Sequence, residues 1–144
     1  MKILFFAEAV SLAHIGRPLV LAQWAQEFGI EVHFASSAKS LLKTLANSFG
    51  FATYPLYTID ENLFYDRVNQ GKFFYQKKEL IKYLDEEQSL LLKIKPDLIV
   101  SDFRLTASIS AQLSNTPLLN LSNSYWCPNY ACPFPAPDAG IFKY

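Results

Sequence analysis

The chain has 144 residues, 51% hydrophobic and 18% charged, which is one domain's worth of sequence and excludes disorder. Thirteen Lys and Arg balance thirteen Asp and Glu, so the basic footprint of a nucleic-acid binder is absent. Aromatic residues reach 15%, more than a small core needs, and point to an apolar cleft or an interface.

Lys2 to Ala7 (KILFFA) is a short, almost continuous apolar run that reads as a buried parallel strand. The opening MKILFFAEAVSLA superficially mimics a signal peptide, but Glu8 interrupts it. Glu8 to Gly16 is expected to be a loop. Arg17-Pro18 then opens a helix, with Pro18 at its first position. Leu21, Trp24, Ala25 and Phe28 recur at helical spacing as its buried face, and Gly29 suits a left-handed cap. Glu31 to Ala35 is a second strand. Ser36 or Ser37 caps a helix to about Ala46, and Phe51 to Pro55 is a third strand. Thr58 to Lys72 reads as either a helix or an ordered loop.

Phe74 to Lys95 is predicted helical, with Leu80, Leu84, Leu91 and Ile94 on one side. Lys93 and Lys95 suit its negative end, and Pro96 stops it. Asp97 to Ser101 is a fourth strand, Thr106 to Leu113 a short helix, and Pro117 to Leu121 a fifth strand. From Ser122 onward the pattern fails, and four of the eight prolines fall there. Cys127 and Cys132 are too few for a disulfide framework or a zinc site and read as free thiols. No run reaches the ~18 apolar residues of a membrane span, and the chain is expected in the cytoplasm.

Alternating strands and helices predict an α/β fold, a doubly wound parallel sheet of Rossmann-like type in the order 3-2-1-4-5. Strands 1 and 4 then flank the topological switch point, where ligands bind outside the carboxyl ends of the strands. His14 follows strand 1 and Asp102 ends strand 4. A histidine held by a carboxylate is a general-base arrangement, in which the acid fixes the tautomer and stabilises the imidazolium. Against that stand a plain surface or packing histidine and an aspartate that only caps a helix. His33, inside strand 2, is a weaker candidate.

Neither GxGxxG nor GxxxxGK[ST] occurs, and strand 3 does not end on the aspartate of a phospho-receiver. A Cys127–His14 nucleophile pair is set aside, because nothing activates the thiol.

Three stretches carry a resemblance to a known family. They are AEAVSLAHIGRPLVLAQWAQEFGIEVHFAS at 7 to 36, KPDLIVSDFRLTASISAQLSNTPLLNLSNSYW at 95 to 126, and the proline-rich CPFPAP at 132 to 137. They resemble the N-terminal, acceptor-binding domain of GT-B glycosyltransferases, family 1 enzymes of the macrolide and natural-product kind. The resemblance implies transfer of a sugar, with inversion, from a nucleotide sugar to a hydroxyl of a small lipophilic acceptor. It implies that His14 takes the proton and Asp102 orients it, and that Ser122, Asn123, Tyr125 and Trp126 line the acceptor pocket. It implies no metal and no cofactor beyond the nucleotide-sugar co-substrate.

Residues 1–144 are thus expected to be a single truncated N-terminal domain. Nothing in the sequence resembles the family's donor-binding motif, so a separate donor-binding domain or subunit is the expected partner. Two alternatives stand beside this one: a non-catalytic acceptor-binding subunit of a split glycosyltransferase, and a fragment of a GT-B-type nucleotide-sugar epimerase.

Overall fold

The computed structural model describes residues 1–37 and 39–123. Tyr125, Trp126, Cys127 and Cys132 lie outside the described residues. The chain runs β1 (Lys2–Ala7), α1 (Leu12–Glu27), β2 (Glu31–Ser36), α2 (Lys39–Phe49), β3 (Ala52–Pro55), α3 (Glu61–Asn69), α4 (Lys77–Ile94), β4 (Leu98–Asp102), α5 (Ala107–Leu113) and β5 (Leu118–Leu121). The five strands form one sheet in the order β3-β2-β1-β4-β5, every pair parallel. This is the predicted α/β fold and the predicted strand order. In register, Ala7 of β1 lies beside Asp102 of β4, so the two central strands reach the switch point together.

Strand alternation divides the core. Ile3, Phe5, Ala7, Val32, Phe34 and Val100 face α1 and α2 through Ala22, Ala25, Leu42 and Leu45. Leu4, Phe6, Ala35 and Ile99 face α4 and α5 through Leu91, Ile94, Ala107 and Ala111. Both faces of β1 are therefore buried, which is why its sequence is an unbroken apolar run. A third, smaller cluster of Val10, Ile59 and Phe64, with Tyr75 and Phe103 against it, lies under α3. The ambiguous segment resolves as that helix, started by Asp60, whose Oδ1 accepts the Leu63 N–H at 3.1 Å.

Two helices differ from expectation. α1 begins at Leu12, so His14 lies in its first turn and Pro18 lies inside it. Ser11, in extended conformation, supplies the start that Pro18 was expected to supply. The buried face of α1 is Ile15, Pro18, Ala22 and Ala25. Trp24 and Phe28 point outward, 57% and 84% exposed. The small residues let the helix approach the sheet closely, and the large ones have no room there. On α4 the most buried row is Glu79, Tyr83, Glu87, Leu91 and Ile94, while Leu80 and Leu84 are only half-buried. Three of these five side chains are polar or charged, so an apolar pattern could not locate the row.

Candidate active site

At the carboxyl ends of β1, β4 and β5 a cleft of about 270 Å³ opens, with His14, Asp102, Phe103, Asn120 and Ser122 among its lining. Asp102 ends β4 with no exposed surface, and the side chain of His14 is 14% exposed. His14 Nδ1 lies 2.8 Å from Asp102 Oδ1. An ionised carboxylate only accepts, so the proton of this bond sits on Nδ1. In the neutral ring Nε2 then keeps its lone pair, and among the described residues it has no hydrogen-bond partner.

Strand order brings these two side chains together as expected, and three further residues that no sequence pattern marks stand around them. Arg17, one turn after His14 on α1, puts Nη2 at 2.8 Å from Asp102 Oδ1 and 3.0 Å from His14 Nδ1. Its Nε lies 2.8 Å from Asp102 Oδ2. With the helix expected to start only at Arg17, that turn relationship was hidden; a helix from Leu12 puts positions 14 and 17 side by side.

Phe103 is the second. Its ring lies parallel to the His14 imidazole, with centroids 4.4 Å apart at 11°. Its backbone has φ of +54°, a left-handed conformation that costs a bulky residue about 1–3 kcal/mol. The turn sends the chain sharply away just after Asp102 and leaves the ring against the base.

The third is Arg104, buried beneath the cleft. Its Nη1 binds Glu8 Oε2 at 3.0 Å and its Nε binds Glu87 Oε1 at 2.6 Å. Thr106 Oγ1 donates to Glu87 Oε1 at 2.6 Å, and Ser110 Oγ donates to Glu87 Oε2. Burial, then the Glu8 charge, pushes the Tyr83 phenol well above its ordinary range, so it stays protonated and donates to Glu8 Oε1 at 3.0 Å. No pattern in the sequence announces this network, because its members come from after β1, from α4 and from after β4.

Burial pushes the Glu8 carboxyl above its ordinary 4.5, opposed only in part by the Arg104 charge and the Tyr83 hydroxyl. The folded chain thus holds this proton more tightly than the unfolded one. Glu8's stabilising contribution is complete below about pH 4.5 and is lost as pH rises through the folded value. Glu8→Gln, which keeps an acceptor and removes the charge, is expected to flatten the decline in stability above that pH. Urea unfolding from about pH 5 to pH 8 would read it, and an unchanged slope would refute it.

Of the other expected residues, Ser122 lies exposed at the cleft rim, and Asn123 Oδ1 accepts from Arg17 Nη1 at 2.7 Å. His33 is occupied elsewhere: Nδ1 meets Tyr54 Oη at 2.9 Å and Nε2 meets Glu31 Oε1 at 2.8 Å. Both of its nitrogens are used structurally. Among the described residues no three His, Cys, Asp or Glu side chains gather as a metal site, and no helix is long and apolar enough to cross a membrane.

No protein-family model matches the chain. Over 137 residues, 95% of its length, it is 39% identical to a PGL/p-HBAD biosynthesis rhamnosyltransferase of Mycobacterium bovis BCG Pasteur, of which it covers 30%. Over the same length it is 36% identical to a PGL/p-HBAD biosynthesis glycosyltransferase of Mycobacterium tuberculosis H37Rv, covering 32%. It is also 36% identical to an inactive PGL/p-HBAD biosynthesis glycosyltransferase of M. bovis BCG Pasteur, covering 37%. The chain spans about a third of the length of these relatives.

Among solved structures it superposes on the Streptomyces sp. SF2575 glycosyltransferase complexed with thymidine diphosphate (TM-score 0.59, 25% identity, 83% of this chain and 38% of that one). It also superposes on the calicheamicin glycosyltransferase (TM-score 0.56, 16% identity, 88% and 34%). The chain is similar to glycosyltransferases over nearly its whole length and has the Rossmann-like fold of half a GT-B enzyme.

Proposed function

We propose that this chain is the acceptor-binding side of an inverting glycosyltransferase, with His14 as its general base and Asp102 as the group that orients it. The observation that carries this reading is the 2.8 Å contact between His14 Nδ1 and Asp102 Oδ1 in the cleft. Nε2 takes the proton of an acceptor hydroxyl as its oxygen bonds to the sugar's anomeric carbon. The bond from that carbon to the nucleotide diphosphate breaks on the opposite face, which inverts the centre. Asp102 stabilises the imidazolium so formed.

The relative named inactive and the M. tuberculosis glycosyltransferase are both 36% identical to the chain, so similarity of that degree does not choose between a working and a silent site. The intact hydrogen bond between the two residues favours a working one.

The reaction needs a grip on the nucleotide diphosphate, and the expected source is a second domain or subunit. The 144-residue chain by itself is therefore expected to bind a lipophilic alcohol or phenol and to turn over no nucleotide sugar. Titration with 4-nitrophenol, followed by amide NMR, should shift His14, Asn120, Ser122 and Asn123 together. Shifts confined to another part of the surface would overturn the acceptor reading. Sugar transfer by the chain alone would overturn the need for a second domain.

A further inference from the structure

Asp102 is a carboxylate with no exposed surface. A neutral histidine alone would leave its charge uncompensated, an expensive state in a protein interior. The compensating cation is Arg17, whose Nη2 and Nε both reach the carboxylate at 2.8 Å. The same Nη2 is 3.0 Å from His14 Nδ1. Arginine has only donors, so two contacts compete for Nδ1: accepting from Nη2 requires it bare, and donating to Asp102 Oδ1 requires it protonated. Were Nδ1 bare, its lone pair would face an anionic oxygen at 2.8 Å, and the arrangement would be repulsive.

We propose that Arg17 is a positioning residue for the base: it occupies the charge of Asp102 so that His14 rests with a single proton, on Nδ1, and with Nε2 bare. This rests on the reading of His14 as the base.

The charged groups around His14 are few. α1 contributes Arg17 and β4 contributes Asp102. Arg104, following β4, lines the cleft but is matched by Glu8 and Glu87. Phe103 covers one face of the ring with no charge. A second proton on His14 would place a cation 3.0 Å from Arg17 Nη2, two cations on one carboxylate. Removal of Arg17 leaves His14 as the side-chain partner of Asp102 among the described residues, and the buried carboxylate then favours imidazolium. Asn123 accepts Arg17 Nη1 at 2.7 Å and ties the guanidinium to the chain after β5, on the side where acceptor is expected.

The test reads protons before it reads rates. In the 144-residue chain with ¹⁵N-labelled histidine at pH 7, long-range ¹H–¹⁵N spectra are expected to show His14 protonated on Nδ1 only. Arg17→Met should protonate both nitrogens, and Arg17→Lys should restore the single proton. Arg17→Gln keeps an N–H donor without the charge. It should behave as Arg17→Met does, and it serves if the methionine variant fails to fold. In a chain completed with a donor-binding half, the charge-removing variants should lower kcat at pH 7 by about tenfold or more, with KM for the acceptor little changed.

A folded Arg17→Met or Arg17→Gln chain whose His14 pattern matches the native one would overturn the proposal, since a merely structural arginine predicts that result. Failure of the base assignment looks different: the proton pattern changes as expected, yet His14→Ala leaves transfer intact.

Discussion

If His14 is the base, replacing it with alanine is expected to lower sugar transfer by about 10²–10⁴-fold, the usual worth of a general base. The measurement uses this chain fused to the rest of the M. bovis rhamnosyltransferase, beyond the 30% that it matches at 39% identity. The loss falls on kcat, because the cleft wall formed by Phe103, Asn120 and Ser122 stays in place. Asp102→Asn gives a smaller but still large loss. An amide offers Nδ1 either its oxygen or its NH₂, so the tautomer is no longer imposed. The same change leaves Arg17 without the anion it now contacts at 2.8 Å. A His14→Ala fusion within a few-fold of its parent would sink the base assignment. Release of an epimerised nucleotide sugar without acceptor would point instead to the epimerase alternative.

The largest effect on stability is expected at Arg104. Its side chain is fully buried and is shared between Glu8 and Glu87, which are fully buried as well. Arg104→Met leaves two carboxylates facing each other without a cation. Removing one partner of a buried ion pair costs about 3–5 kcal/mol. For a domain of this size that lowers the melting temperature by roughly 10 °C or more. Adding Glu8→Gln and Glu87→Gln to the same chain should recover much of the loss, since the penalty lies in the stranded charges and not in the missing contacts. Thermal and urea unfolding of the single and triple variants reads both parts. A single-variant loss under about 1 kcal/mol would show that water reaches the network.

β1 is legible because it is buried on both faces and so is written as an apolar run, and β4 begins with the apolar stretch LIV for the same reason. Gly29, at φ of +74°, and Pro96 marked helix ends as expected. His14 and Asp102 were legible because strand order alone brings their two loops together. Where the reading failed, a local rule met a tertiary demand. Pro18 reads locally as a helix start, whereas in the structure it lies inside α1 with its ring buried. Trp24 and Phe28 were placed inward on period alone, yet the sheet accepts only the small Ala22 and Ala25 there. The row Glu79, Tyr83, Glu87 has no apolar signature, because its burial is sustained by partners far along the chain. Phe103 escaped because nothing in its type suggests a positive φ.

Pro18 has a mechanical consequence for the turn that carries the base. In a regular helix the N–H of residue 18 would bond the carbonyl of residue 14, and proline has no N–H to give. Gly16, where an added Cβ would meet nothing, contributes no side-chain packing and lowers the helical preference of the same turn. The backbone ladder that joins residues 12 to 16 to the rest of α1 thus lacks one hydrogen bond. Sideways anchors add to it: Ile15 in the core and His14 on Asp102, with Arg17 just beyond on the same carboxylate. The first turn of the helix behaves as a latch whose bolt is the Asp102 carboxylate, so the contacts that aim the imidazole are also those that fasten the end of the helix to the sheet.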